Sequence, residues 1–349
     1  MDDEARPTRV ALALGGGGAR GYAHMGVMRV LEERGYEVVG IAGTSMGSVI
    51  AALYAKGRLQ EYEQWVTALT QRDVIRLLDP ALRSPGAIKG ERVMARVSEL
   101  LDGVRIEDLP IPFTAVATDL LNRKEVWFQE GPVDMAVRAS IALPSFITPV
   151  MLNGRLLADG AMVNPVPIAP LSGLDVDLVV AVNVNGTPRD PSARLGRVRE
   201  SADPRPVAEW QERLRRTASQ VFDNETGRRL TSWLSARRSE ADHDPEATDE
   251  PAGVPAPETA DEGFDSLPPD LGMLSVMELS LDTLQSVVTR YRMASYPPDV
   301  MITMPKDICR TLDFHRGAEM VEVGRAYTER ALDEYEAGDM ESPQDHIEV

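Results

Sequence analysis

The chain has 349 residues, 43% of them hydrophobic and 26% charged, which suits one large soluble domain or two smaller ones. Its 55 acidic residues against 37 basic ones leave a net charge of −18, and so acidic a chain is a poor partner for nucleic acid, whose phosphates call for clustered Lys and Arg. The one cysteine, Cys309, excludes an internal disulfide, and no run of about 18 apolar residues offers a membrane span. The start Met1-Asp2-Asp3-Glu4 lacks the positive charge that opens a secretory signal, so the expected location is cytoplasmic.

In chain order, Arg9 to Leu14 is a short apolar run closed by Gly15-Gly16-Gly17-Gly18, the pattern of a buried strand entering a tight loop. From Ala19 the spacing turns helical, through Tyr22, Met25, Met28 and Leu31, and Gly35 stands where a C-cap belongs. Val38 to Ala42 predicts a second strand, Gly43-Thr44-Ser45-Met46-Gly47 a turn, and Ser48 to Lys56 a helix ended by Gly57. This rhythm of strand, helix, strand, helix predicts an α/β fold with a largely parallel sheet. A helical region follows to Leu101, then strands at Phe113 to Thr118 and Glu125 to Phe128. Asn153-Gly154 between two apolar triplets is a type I′ hairpin signal, and the strand after it delivers Asp159. Leu178 to Val184 and Val300 to Met304 are the last strands, with a helix at Met273 to Met293 between them and another, capped by Asp313, running to Glu334.

Composition divides the chain into core residues 9–187, an insertion 188–270, the end of the core at 271–335 and a tail 336–349. The insertion is Pro- and Arg-rich at first. From Ser239 to Asp270 it carries eleven acids, six prolines and no Lys or Arg, so it cannot bury enough apolar surface to order itself and is expected to be partly disordered.

Two glycine patterns carry chemistry. Gly43-Thr44-Ser45-Met46-Gly47 fits G-x-S-x-G between an apolar strand and a helix. In that context a sharp turn exposes a nucleophilic Ser45, while Gly43 and Gly47 leave room for the strained backbone. An ordinary Gly-rich turn is the competing interpretation. Gly16-Gly17-Gly18-Ala19-Arg20-Gly21 fits G-x-G-x-x-G, which suggests a dinucleotide loop. That assignment asks for an acid at the end of the second strand, where Ile41-Ala42-Gly43 has none, and the Gly-Lys-Ser/Thr of a phosphate loop is missing too. The same glycines suit an oxyanion hole, with the N–H groups of Gly16, Gly17 and Gly18 aimed at developing charge beside Ser45. Tight helix–strand packing is the plainer role for Gly21.

Asp159-Gly160 after a strand is either a turn or a carboxylate held at the sheet edge near Ser45. Of the four histidines, His24 is expected to be packed on a helix, His243 lies in the acidic stretch and His346 in the tail. His315 alone stands in the Ser-Asp-His order of an α/β-hydrolase triad, yet it falls in the first turn of a helix. A Ser-Asp dyad needs no histidine.

Gly-Gly-Gly-Ala-Arg-Gly, then Gly-Thr-Ser-Met-Gly, then Asp-Gly-Ala, in this order, resemble the patatin-like phospholipase family, in its bacterial branch related to the catalytic domain of neuropathy target esterase. Arg138-Ala139-Ser140 with Pro144, Asn164-Pro165-Val166-Pro167 and Asp313-Phe314-His315-Arg316 are similar to that branch as well. The resemblance implies a three-layer α/β/α fold and hydrolysis of lipid carboxylic esters without metal or cofactor. It implies Ser45 as nucleophile, Asp159 as base, Gly16, Gly17 and Gly18 as the oxyanion hole, and Arg20 as support for the glycine loop, beside Gly21, Gly43, Gly47 and Gly160. Asp-Gly-Ala here replaces the family's commoner Asp-Gly-Gly.

A lipid-ester substrate implies contact with a membrane, at its inner face for a cytoplasmic protein. Val207 to Arg238, with two tryptophans and seven bases against four acids, suits an interfacial helix, and suits a helix packed on the domain equally well. Two other functions remain open on sequence: acyl transfer through the same acyl-serine, and a regulatory protein without turnover. A dinucleotide-binding oxidoreductase is the weakest alternative.

Overall fold

The computed structural model describes residues 6–77, 86–88, 91–189 and 273–338. The described residues up to 189 and from 278 on form one compact unit. The acidic stretch and the 207–238 segment lie outside the described residues.

The strands in chain order are β1 (Arg9–Leu14), β2 (Glu37–Thr44), β3 (Gly86–Ile88), β4 (Phe113–Asp119), β5 (Lys124–Phe128), β6 (Ser145–Ile147), β7 (Val150–Leu152), β8 (Arg155–Asp159), β9 (Leu178–Gly186) and β10 (Val300–Pro305). The helices are α1 (Ala23–Glu33), α2 (Met46–Ala55), α3 (Leu59–Thr67), α4 (Gln71–Leu77), α5 (Glu91–Leu101), α6 (Val133–Ser140), α7 (Met273–Ser295) and α8 (Gly317–Glu336). The main sheet runs β10-β9-β1-β2-β4-β8-β7, with β5 also on β4. From β10 to β4 every pairing is parallel; β5, β8 and β7 add antiparallel. Helices cover both sides, and the fold is the three-layer, largely parallel α/β architecture expected from the sequence.

β1 lies between β9 and β2 and is covered on both faces, which is why its sequence is an unbroken apolar run rather than an alternation. Val10, Leu12 and Leu14 face the large core shared with α1, α2 and α8. Ala11 and Ala13 face a thinner layer, where Ala42 and Ala181 meet Val166, Ile168, Leu171 and, from α7, Met293. Fully buried side chains such as Leu12 and Leu14 each contribute about 2 kcal/mol. Small residues on the second face let chain segments approach closely, and one of those segments, 164–166, reaches the site.

Local signals set the ends of these elements. Gly35, at φ +77, closes α1: its N–H donates to the Glu32 carbonyl and the next N–H, of Tyr36, to Leu31. Those two bonds cap the last turn. Asn153 and Gly154, both at positive φ, make the expected hairpin turn between β7 and β8.

The structure differs from the sequence-based expectation in four places. The helix after the glycine loop opens with a 3-10 turn, Gly18–Tyr22, before α1. α6 is an addition to the expected elements. So is the two-stranded parallel sheet of β3 and β6, since each strand is only three residues long. Asp313 stands at the N-cap position of a 3-10 turn, Phe314–Arg316, without a side-chain capping bond, and not at that of α8, because the chain bends again at Arg316 before the helix begins at Gly317.

Candidate active site

β4 has two edges. β5 occupies one, from Ala115 to Asp119. On the other edge β2 pairs with Phe113 to Val116 and stops at Thr44, and β8 then takes Ala117 to Asp119, running the opposite way. The C-terminal ends of β2 and β8 therefore meet head to head. Ser45 leaves one end and Asp159 closes the other.

At this junction Ser45 Oγ donates a hydrogen bond to Asp159 Oδ2 at 2.5 Å. Ser45 holds φ 55 and ψ −126 between β2 and α2, a conformation that costs a non-glycine residue on the order of 1–3 kcal/mol and persists only where the surroundings enforce it. Several contacts do so. Ser45 N–H donates to Ser140 Oγ (2.9 Å), whose own proton goes to the Val116 carbonyl (2.6 Å). Ser48 Oγ donates to the Ser45 carbonyl (2.7 Å). Thr44 Oγ1 donates to the Asn164 carbonyl (2.9 Å). The turn also needs bare glycine: a Cβ on Gly47 would sit 2.2 Å from the Leu14 carbonyl oxygen, and one on Gly43 would sit 2.4 Å from that of Gly47.

Asp159 is 1% exposed. Its second oxygen, Oδ1, accepts from Ala161 N (2.8 Å), its backbone N–H donates to Ala142, and its carbonyl accepts from Thr118 Oγ1. Gly160 lets the chain turn away here, because a Cβ would strike the Val116 carbonyl. Burial pushes the Asp159 carboxyl up to about 6, against the opposing pull of the Ser45 and Ala161 hydrogen bonds.

The glycine loop lies alongside. A Cβ on Gly16 would come within 3.1 Å of Ser45 Cβ, so this glycine provides clearance beside the hydroxyl. Its N–H, expected to be an oxyanion donor, is committed to the Pro165 carbonyl at 3.1 Å. The N–H groups of Gly17 and Gly18 meet no acceptor among the described residues. Gly18 sits at φ +57 against Thr311, and Gly21 packs on Met46. Arg20, 9% exposed, donates to the Cys309 carbonyl (2.9 Å) and to Asn185 Oδ1 (2.8 Å), and Asn185 Nδ2 in turn holds the Gly16 carbonyl.

His24 is fully buried, and its Nε2 is 2.8 Å from the Gly15 carbonyl. That pair fixes Nε2 as the protonated nitrogen, and burial drives the imidazole down to about 4, so the ring is neutral. Both oxygens of Asp159 are occupied by Ser45 and Ala161, and no hydrogen bond joins His315 to either residue.

Sequence reasoning passed over Asn164-Pro165 as a structural hub. Asn164 is 1% exposed. Its carbonyl holds Thr44, its N–H donates to the Gly160 carbonyl (2.8 Å), and the next carbonyl, of Pro165, holds Gly16. One dipeptide thus ties together the turn of Ser45, the segment of Asp159 and the glycine loop. Asn164 Nδ2 donates to Glu125 Oε1 (2.6 Å), and Glu125 pairs with Arg292 of α7 at 2.6 Å. The sequence signal was present in Asn-Pro-Val-Pro directly after Asp-Gly-Ala, a stiff segment with few free N–H groups.

A patatin-like phospholipase family model matches residues 12–172, from β1 past Asp159. An uncharacterized NTE family protein of Mycobacterium tuberculosis is 45% identical over 352 residues, covering 97% of this chain and 96% of the relative. This chain belongs to the patatin-like phospholipase family. The patatin-like phospholipase domain-containing protein 6 of Homo sapiens is 33% identical over 186 residues, 50% of this chain and 13% of that much longer protein. Among solved structures, VipD from Legionella pneumophila aligns over 95% of this chain and 67% of its own, at 14% identity and a TM-score of 0.48. Family membership makes this patatin-like protein an enzyme of the phospholipase class and displaces the dinucleotide-binding alternative. No helix among the described residues is long and apolar enough to cross a membrane.

Proposed function

We propose that this patatin-like protein hydrolyses carboxylic ester bonds of lipids through a Ser45–Asp159 dyad. The observation that carries the proposal is the 2.5 Å hydrogen bond from a strained, strand-to-helix Ser45 to a buried carboxylate. Asp159 Oδ2 takes the proton as Ser45 Oγ bonds to the acyl carbon. A carboxyl near 6 is a stronger base than an ordinary aspartate and still ionised at neutral pH. The N–H groups of Gly17 and Gly18, together with the N-terminus of α2, favour the oxyanion that develops. The tetrahedral adduct collapses, the ester C–O bond breaks, and the leaving alkoxide takes the proton from Asp159. Asp159 then deprotonates water, which attacks the acyl-serine. The acyl–Oγ bond breaks, Ser45 recovers its proton, and the fatty acid leaves. Gly16 provides clearance beside the nucleophile and is not a donor in this scheme, since Pro165 holds its N–H.

The test is hydrolysis of phosphatidylcholine vesicles and of a soluble short-chain ester by wild type, Ser45→Ala and Asp159→Asn. Both variants are expected to lose at least about a thousand-fold in rate, the scale of a lost nucleophile or base. Turnover that survives Ser45→Ala would sink the assignment. Acylated acceptor in place of free fatty acid would redirect it to acyl transfer.

A further inference from the structure

The end of the sheet that carries Ser45 has a raised rim. β4 runs three residues past Val116, its last residue paired with β2, a further 10 Å or so at strand rise, before turning into β5. The β7–β8 hairpin turns at the same end, and Leu120 N–H donates to the Leu156 carbonyl (2.9 Å), joining the two turns. Asp119 braces the first turn: Oδ1 accepts from Leu121 N and Asn122 N, both at 3.1 Å, and Oδ2 from Asn122 Nδ2 at 2.8 Å. The result is a double tip braced by hydrogen bonds.

This tip presents apolar side chains to solvent. Leu121 and Met151 are each 63% exposed there, and Trp127, opposite Val116 at the base of the rim with its Nε1 fixed by Glu125 Oε1, is 42% exposed. Arg123, Lys124 and Arg155 stand beside them, exposed and in no ion pair among the described residues. Residues 120–124 and 150–156 contain no carboxylate; of the flanking acids, Asp119 spends both oxygens on Leu121 and Asn122 and lies within electrostatic reach of Arg155, and Glu125 is paired with Arg292. A recess of about 180 Å³ opens behind the hairpin among Val126, Phe128, Leu152 and Leu157, with Arg155 at its edge.

We propose that this tip docks the protein on an anionic lipid bilayer, with Leu121 and Met151 entering the interface and Arg123, Lys124 and Arg155 meeting the headgroups. Projecting apolar residues ringed by exposed cations, with a half-exposed tryptophan at the base of the rim, match the chemistry of a bilayer surface. Docking there turns the Ser45 end of the sheet toward the lipid. The inference rests on the lipid-hydrolase proposal for its purpose, but binding can be measured without turnover.

Flotation with vesicles of phosphatidylcholine, with or without one third phosphatidylglycerol, tests it on the full chain. Wild type and Ser45→Ala are expected to bind the anionic vesicles, less so as salt rises. Leu121→Asp with Met151→Asp, and separately Arg123→Glu with Arg155→Glu, are expected to lower partition by at least about ten-fold. Both double variants should keep wild-type melting temperature and wild-type hydrolysis of a soluble ester. Unchanged partition in the variants, no binding by wild type, or equal binding to phosphatidylcholine alone would overturn the inference. So would a dimer, seen by sedimentation, that the same substitutions split. Tip-dependent binding with no hydrolysis of any ester would leave the docking surface standing and remove the hydrolase proposal instead.

Discussion

Thr44 and Asp159 lie opposite successive residues of one strand, Thr44 facing Val116 and Asp159 facing Ala117. Strand register therefore brings the residue after Thr44 to the Asp159 carboxylate, although 114 positions separate the two in sequence. No loop has to close to make the pair. The hydroxyl and the carboxylate are held by strands of the main sheet, and the remaining contacts adjust angles.

Ser140 is the tightest of those adjustments. Ser140→Ala removes the acceptor of the half-buried Ser45 N–H and the donor to the buried Val116 carbonyl. The expected outcome is a stability loss of about 2 kcal/mol and a kcat about ten- to a hundred-fold lower, with KM little changed, since the nucleophile is misplaced while lipid contacts remain. Chemical denaturation and steady-state kinetics read both. An unchanged kcat would mean that Ser45 holds its conformation without Ser140.

Rate should depend on one deprotonation. Asp159 acts as a base only when ionised, so kcat/KM should fall as pH drops through about 6 and level off above it. His24 titrates near 4 and should leave no second break between pH 5 and 8. A bell-shaped profile with a limb near 7 would implicate a histidine.

Stability should carry the opposite signature. The Asp159 carboxyl is raised from 3.8 to about 6 on folding, so the folded state binds its proton more tightly, and that stability is lost as pH rises from about 4 through 6. His24 is lowered from 6.5 to about 4, so its contribution is lost as pH falls through the same window. The two nearly cancel. Asp159→Asn removes only the first, so the variant should be more stable than wild type by up to about 3 kcal/mol at pH 7, with the gain vanishing near pH 4. Melting curves across pH report this, and a constant difference at every pH would refute it.

Two glycines separate strain from collision. Gly35 sits at φ +77 with open space where a side-chain carbon would project, so Gly35→Ala should cost about 1 kcal/mol. A Cβ on Gly47 meets two carbonyl oxygens at the end of β1, at 2.2 and 2.7 Å, and Gly47→Ala should cost about 3 kcal/mol or more, or prevent folding. Comparable melting temperatures for the two variants would show that the elbow can relax.

Much of this was legible in the sequence because buried parallel strands and their glycine turns leave local marks. Val10 to Leu14 and Val38 to Ala42 are apolar on both faces, and the residues between them punctuate the turns. Ser140, Asn164 and Arg292 act through partners 95, 120 and 167 positions away, and no periodicity records such distances. α6 escaped notice because eight residues spanning barely two turns give a weak pattern. Gly16 is a similar case: its pattern suits an oxyanion donor, and only the fold reveals that Pro165 has taken its N–H.

The most direct test of the dyad is covalent labelling with a fluorophosphonate, with the adduct mapped by peptide mass. One adduct is expected, on Ser45, abolished in Ser45→Ala and formed far more slowly in Asp159→Asn. An adduct on another residue, or labelling at wild-type rate without the Asp159 carboxylate, would contradict the dyad.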